Sequence, residues 1–295
     1  MLNWYKILYN KKSSKSLGWE PEWFGASSFD NELIEKIKSK QKEFKIKEDG
    51  LVGEITYRRI YSEKIYNNDI PLEKEIEYVS TNNRILCNNH YFPIKTKAIF
   101  LNEGLRYKIM SKERNPKFVV IHWDACLNTR SAINVLKKRG YSVHFNIDND
   151  GTIYQFVDTN DITFHAGTKY NADSIGIELS NAHYLKYQDW YEKKGFGERP
   201  IIEDFKIHKV KLDDFLGFYP KQIEALGILC GFIYDVYEIP LVFPEEQNGI
   251  NKDCQNAKFK GFMNHFNLTD NKIDCASLPV EKVINIAKSN SSFRS

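Results

Sequence analysis

The stretch Phe118-Val119-Val120-Ile121-His122-Trp123 decides how this chain is read. Four consecutive apolar residues, two of them valine and one isoleucine, suit a central strand buried on both faces. A histidine at the end of such a strand is held at the sheet rim with little freedom to wander. Two further segments extend the pattern. Ser142-Val143-His144-Phe145-Asn146-Ile147-Asp148 alternates, Asp150-Gly151 turns, and Thr152-Ile153-Tyr154-Gln155-Phe156-Val157 alternates again, which predicts a hairpin. Ser174-Ile175-Gly176-Ile177-Glu178-Leu179 predicts another central strand, with Ile175 and Ile177 on one face and Gly176 and Glu178 on the other.

Helical spacing fills the gaps between these strands. Ser131 to Arg139 places Ile133, Val135 and Leu136 inward. Pro220 to Tyr237 carries an apolar stripe of Ile223, Leu226, Leu229, Cys230 and Ile233 behind a proline suited to a first turn. A last helix is expected over Val280 to Ala287. From about residue 96 the expected class is therefore α/β, a mixed central β-sheet flanked by helices. Segments 181–218 and 240–263 are too polar and irregular for the core, and are expected as long loops that serve for substrate contact.

The N-terminal quarter is different. Residues 1–27 are aromatic and show no assignable pattern. Ser28-Phe29-Asp30-Asn31 offers helix N-caps, and Leu33, Ile34, Ile37, Gln41 and Phe44 follow at helical spacing. The turn Asp49-Gly50-Leu51-Val52-Gly53 leads into a second helix with Tyr57, Ile60 and Tyr61 on one face. The expected organisation is a small helical domain over 1–75, a polar linker over 76–95 and a larger domain over 96–295.

Bulk properties bound the function. Of 295 residues 42% are apolar, enough for a real core. A formal charge of only +3 argues against a dedicated nucleic-acid binder. Five cysteines without Cys-x-x-Cys spacing point to synthesis in a reducing compartment. The start lacks the apolar core of a signal peptide, and no run is long enough to span a membrane, so membrane insertion is not expected. A monomer made in the cytoplasm is expected, reaching any external substrate by release or dedicated export.

The chemistry-bearing residues are far apart. His122 ends a strand, and His265 precedes Lys272-Ile273-Asp274-Cys275. Catalytic zinc takes three ligands from His, Asp, Glu or Cys and keeps a fourth position for water. Asp274 can bind through oxygen, with the Cys275 thiolate as rival. Lys272 can face charge building on a substrate oxygen. Glu178, stranded among apolar residues, can act as a general base.

These motifs, in this order, resemble the zinc-dependent N-acetylmuramoyl-L-alanine amidases, the superfamily of phage lysozyme-type amidases and peptidoglycan recognition proteins. The Val-Ile-His122 strand, the Val143-His144-Phe145 hairpin, Phe164-His165-Ala166-Gly167 with Asn171, the Glu178 strand and His265…Lys272-x-Asp274 carry the resemblance over roughly residues 96–290. It implies Zn2+ held by His122, His265 and Asp274, with Glu178 as general base or acid and Lys272 as electrostatic stabiliser. Position 274 is the ligand position by register. Some members use a tyrosine where Val143 stands, which shifts proton transfer to Glu178. His165 and Asn171 are expected to meet substrate. The implied reaction cleaves the amide between N-acetylmuramic acid and L-alanine of peptidoglycan, as in an endolysin. The alternatives are a non-catalytic peptidoglycan binder and an amidase of soluble muropeptides. Residues 28–65 resemble the small three-helix peptidoglycan-binding domain of wall hydrolases.

Overall fold

The computed structural model describes residues 3–70, 83–246 and 248–292. It divides into two compact units, Met1–Lys74 with Asn134–Arg139, and Glu75–Ile133 with Gly140–Ser295.

In the first unit three helices occur in order: α1 (Asn3–Leu17), α2 (Asn31–Glu43) and α3 (Glu54–Tyr66). Asp30 caps α2, its side chain accepting from Leu33 N–H at 3.1 Å. The apolar stripe Leu33, Ile34, Ile37 and Phe44 is buried as its spacing predicts. Gln41 is buried with it: its Nε2 donates to Leu51 O at 3.0 Å and its Oε1 accepts from Gly50 N–H at 2.8 Å, which fixes the glycine turn. Helix α1 falls in the stretch that showed no pattern.

The second unit begins with a hairpin, β1 (Arg84–Cys87) and β2 (His90–Pro93). These residues fall within the expected linker 76–95, whose residues 76–82 lie outside the described ones. Ile85 and Cys87 are buried in the main core, so this half of the stretch is part of the folded unit. Next in the chain come β3 (Ala98–Phe100), β4 (Tyr107–Lys108), β5 (Phe118–Trp123), α4 (Thr129–Arg139, whose residues from Asn134 group with the first unit), β6 (Phe145–Ile147), β7 (Ile153–Gln155), β8 (Ile162–Thr163), α5 (Thr168–Asn171) and β9 (Ser174–Leu179). The 181–218 segment holds a short helix, α6 (Gln188–Lys193), and two small antiparallel pairs: β10 (Ile201–Ile202) with β13 (Phe215–Leu216), and β11 (Lys206–Ile207) with β12 (Val210–Lys211). The chain ends with α7 (Pro220–Tyr237), α8 (Lys252–Gln255), β14 (Gly261–Asn264) and α9 (Val280–Asn290).

Six strands form the central sheet in the order β14-β5-β9-β6-β7-β3. Only the β6–β7 hairpin is antiparallel, so the sheet is mixed, as expected. On one face Val119, Ile121, Ile175 and Ile177 meet Leu226, Leu229 and Ile233 of α7. Helix α9 packs closely on α7, because a side chain at Gly231 would stand 2.7 Å from Ala287 O.

Two expectations are corrected. The 240–263 segment is not wholly an excursion, since Gly261–Asn264 is an edge strand of the sheet, paired in parallel with β5. Nor is 181–218 peripheral: Tyr187, Trp190, Tyr191, Phe215 and Leu216 are buried. Arg199 explains why. Its guanidinium lies 4.3 Å from the ring centroids of both Tyr191 and Tyr219. It also donates to Gly217 O at 2.8 Å and Ser180 O at 2.7 Å. A charge so partnered can be buried without an opposing carboxylate.

His144 is fully buried in the sheet. Its Nδ1 accepts from Gly176 N–H at 3.0 Å, and its Nε2 stands 3.0 Å from Asp161 O. Burial and the nearby Arg114 charge push its pKa down to about 3, so the ring is neutral. An unfolded chain protonates this ring below about pH 6.5 and the native chain does not, so its contribution to stability falls as pH drops through that range. Asp148 opposes it, because burial lifts its carboxyl to about 7 and the native state then takes up the proton first. Comparison with a variant isolates the histidine. Between pH 6.5 and 5 the native chain should lose about 2 kcal/mol more stability than His144→Gln, read from urea midpoints. Parallel pH slopes would show that the ring is not held neutral.

Candidate metal centre

The sheet register assembles the site. In the parallel pair β5–β9, His122 stands beside Glu178, and in β6–β9 Glu178 stands beside Asn146. On the other side of β5, β14 ends with Asn264 beside Ile121. His265 follows by one residue and so comes level with His122. Phe266 N–H then donates to the Asp274 carbonyl at 3.0 Å, which brings the Lys272–Cys275 loop back over the strand end.

Three donor atoms converge there. His122 Nδ1 is 2.9 Å from His265 Nδ1 and 3.2 Å from Asp274 Oδ2, and His265 Nδ1 is 2.9 Å from the same oxygen. All three residues are buried. His122 is pushed down to about 4, first by burial and then by the neighbouring His265, which makes it a neutral imidazole. Burial alone would raise the Asp274 carboxyl, but the neighbouring His265 and the close contacts of both histidine rings hold it well below the usual carboxylate range. Lone pairs and a negative charge facing one another in a buried space call for a cation. Ligands at zinc's bond lengths stand about 3.4 Å apart in a tetrahedral site, so the triangle needs to open by only a few tenths of an ångström.

His122 is oriented from behind. Its Nε2 is 3.0 Å from His165 Nδ1, and His165 Nε2 is 3.1 Å from Ser174 Oγ. With Nδ1 turned to the other donors, the proton sits on His122 Nε2 and is donated to His165, which donates in turn to Ser174. This relay fixes the tautomer that leaves Nδ1 free to bind. It also explains Gly176. A Cβ there would stand 2.7 Å from His165 Cγ, so only glycine lets the ring lie on β9.

The other expected site residues fall as follows. Glu178 is half-buried on the face of β9 that carries His122's neighbour position. Lys272 is half-buried in the loop that delivers Asp274. His165 and Asn171, expected to meet substrate, make these contacts within the protein. Both ring nitrogens of His165 are engaged, and Asn171 Oδ1 accepts from the backbone N–H of His165 at 3.2 Å and of Ala166 at 2.9 Å. Cys275 is fully buried in the apolar core, its thiol pushed well up by burial, and it is not among the converging donors.

The sequence reading missed three supports. Asp124, two residues past His122, accepts from Asn146 Nδ2 at 3.0 Å and Ser180 Oγ at 2.9 Å, which ties the residue beside Glu178 to the β5 end. His208 Nε2 lies 3.0 Å from the Lys272 carbonyl. Ser174 anchors the histidine relay. Asp124 lies in a run shared with His122, and Ser174 heads the strand that carries Glu178; His208 depends on a loop that no periodicity links.

Residues 112–254 match the family model described as N-acetylmuramoyl-L-alanine amidase. That segment, just under half of the chain, is similar to an N-acetylmuramoyl-L-alanine amidase domain. The match stops short of His265 and Asp274, so those two positions rest on geometry and motif order. Among solved structures, the chain is similar to the Escherichia coli N-acetylmuramyl-L-alanine amidase AmiD, solved with anhydro-N-acetylmuramic acid-L-Ala-D-gamma-Glu-L-Lys. Identity there is 19% over 72% of this chain and 68% of that one, with a TM-score of 0.39. The amidase LysC of Clostridium intestinale is 20% identical over 67% of this chain and 99% of its own, with a TM-score of 0.40. Staphylococcus aureus AmiA is 12% identical over 79% and 93%, with a TM-score of 0.43. No curated protein sequence matches the chain.

Gly176→Ala should displace the His165 ring and weaken zinc binding about 10- to 100-fold, with the far-ultraviolet circular dichroism unchanged. A zinc Kd equal to that of the native chain would show that the relay does not orient His122.

Proposed function

We propose that this chain is a zinc-dependent amidase that lyses cell walls by cutting the bond between N-acetylmuramic acid and L-alanine. The observation that carries the reading is the convergence of His122 Nδ1, His265 Nδ1 and Asp274 Oδ2, with Glu178 one strand away in register with His122. The family match supports the amide as the bond cut.

A zinc ion held by these three donors would supply Lewis acidity and lower the pKa of a bound water to about 7. The protein's own residues do the rest. Glu178 takes a proton from the attacking water and returns one to the departing amine; its carboxylate has Asn146 and His122 as strand neighbours, so its backbone position is fixed. Lys272 brings its ammonium to the oxygen that gains charge as the carbonyl becomes tetrahedral. His165 and Ser174 keep His122 in one tautomer through the cycle. The helical unit, with its Asp49-Gly50-Leu51-Val52-Gly53 turn locked by Gln41, is the candidate wall-binding unit. A binding-only role would leave a complete donor triangle and two adjacent reactive side chains without work.

The test is digestion of purified walls followed by mass spectrometry. Free stem peptides and unsubstituted muramic acid are expected, and a chelator should abolish both. Glu178→Gln and Lys272→Met should keep stoichiometric zinc yet lose about 10²- to 10³-fold in turnover. His265→Ala should lose zinc and activity together. Full digestion by the chelated protein would refute the metal's role, and glycan or peptide fragments cut elsewhere would refute the bond assigned.

A further inference from the structure

Helix α1 is built inside out. The residues it buries are Asn10, Ser13, Ser14 and Leu17, at i, i+3, i+4 and i+7. Three of these four are polar, and each is used. Asn10 Nδ2 donates to Gly50 O at 3.0 Å, and its Oδ1 accepts from Val52 N–H at 2.9 Å. Ser13 Oγ donates to Val52 O and accepts from Trp19 Nε1 at 3.0 Å. Ser14 Oγ donates to Trp19 O at 2.6 Å. Hydrogen bonds thus hold much of this helix to its unit, and Trp4, Tyr5 and Leu8 are left outside.

Trp4 is 62% exposed, Leu8 45% and Tyr5 42%. Lys11, Lys12 and Lys15 continue the same side and are all exposed. At about 100° per residue, Trp4, Leu8, Lys11, Lys12 and Lys15 share an arc of about 100°, with Tyr5 at its edge. The helix holds four lysines and no acidic residue in its 15 positions. Scattered surface apolar residues need no explanation, but an aromatic and aliphatic cluster continued by lysines along one helix face does.

We infer that this face of α1 docks onto an anionic lipid bilayer surface. Charge selects the class of partner: a second copy would bring two all-basic helices together, whereas anionic headgroups complement the lysines. Shape selects the lipid over a glycan chain. Trp4, Tyr5 and Leu8 project from the convex side of a helix, the form that enters a headgroup layer, and they do not line a cleft. Indole and phenol rings favour that layer, and lysine stems can lie along it with their ammonium groups in water. The contact is a surface one, since no helix among the described residues is long and apolar enough to cross a membrane. It is independent of the amidase reading, and concerns where the full chain is held while the other unit works.

The test is co-sedimentation of the full chain with vesicles. Phosphatidylcholine vesicles containing about 30% phosphatidylglycerol should bind at least about 10-fold more tightly than pure phosphatidylcholine, and about 0.5 M salt should remove the difference. Trp4→Ala/Tyr5→Ala/Leu8→Ala should weaken binding about 10-fold, and Lys11→Glu/Lys12→Glu should abolish it. Both variants alter exposed positions, so their thermal midpoints should match the native chain. Binding that ignores lipid charge, or a triple variant that binds as tightly as the native chain, would overturn the inference. A dimer lost in the triple variant would overturn it in favour of a second copy. Pelleting with lipid-free wall glycan, lost in both variants, would overturn it in favour of the glycan.

Discussion

The parallel register of three strands is the constraint on which the site depends. β14, β5 and β9 lie side by side, and their ends bring His265, His122 and Glu178 level with one another. A shift of one residue in either pairing would turn a side chain to the opposite face, into the apolar layer packed by α7. The register is held by that layer: Val119, Ile121, Ile175 and Ile177 are fully buried, and none can exchange faces with its neighbour without exposing apolar surface or burying a charge. The geometry of the reactive face is thus specified by hydrophobic packing on the other one.

Within that frame the first histidine has an exacting surround. Its ring has two nitrogens, and which of them carries the proton decides whether the other can bind a cation. His165 settles this by accepting the Nε2 proton, which leaves the Nδ1 lone pair turned toward His265 and Asp274 for a cation to share. The His165 ring reaches its place only because Gly176 has no side chain. One glycine in β9 therefore acts through two rings on the donor triangle.

How legible this was in the sequence follows from the physics of each part. Long apolar strands and the α7 stripe have strong periodicity, so β5, β9 and α7 could be located to within a residue or so. The N-cap of α2 was visible as Asp30, and the β6–β7 turn as Asp150-Gly151. Helix α1 was not legible because periodicity looks for an apolar inward face, and this helix turns Asn10, Ser13 and Ser14 inward. β14 was hidden because four residues between irregular loops make no repeat, and its membership depends on pairing with a strand about 140 residues earlier. The buried position of Arg199 was invisible for a related reason, as its tyrosine partners and carbonyl acceptors come from three separate segments. At the site, motif order proposed the three donors, whereas the supporting contacts of Ser174, Asp124 and His208 are tertiary and are not announced by the periodicity around them.

The donor triangle also bears on stability. Two imidazoles and an ionised carboxylate, all buried, have been taken from water and face one another. Each such group costs folding free energy unless it is partnered. The strand register forces them together regardless, because the apolar layer fixes where β5 and β14 end. A cation filling the triangle would repay the desolvation at the same atoms proposed to perform the chemistry, so binding and local stability would be one free energy seen from two sides. The cost is confined to a single rim of the sheet, while the opposite face remains a continuous apolar layer. That division lets one end of a rigid scaffold carry an arrangement that would be unfavourable in its interior.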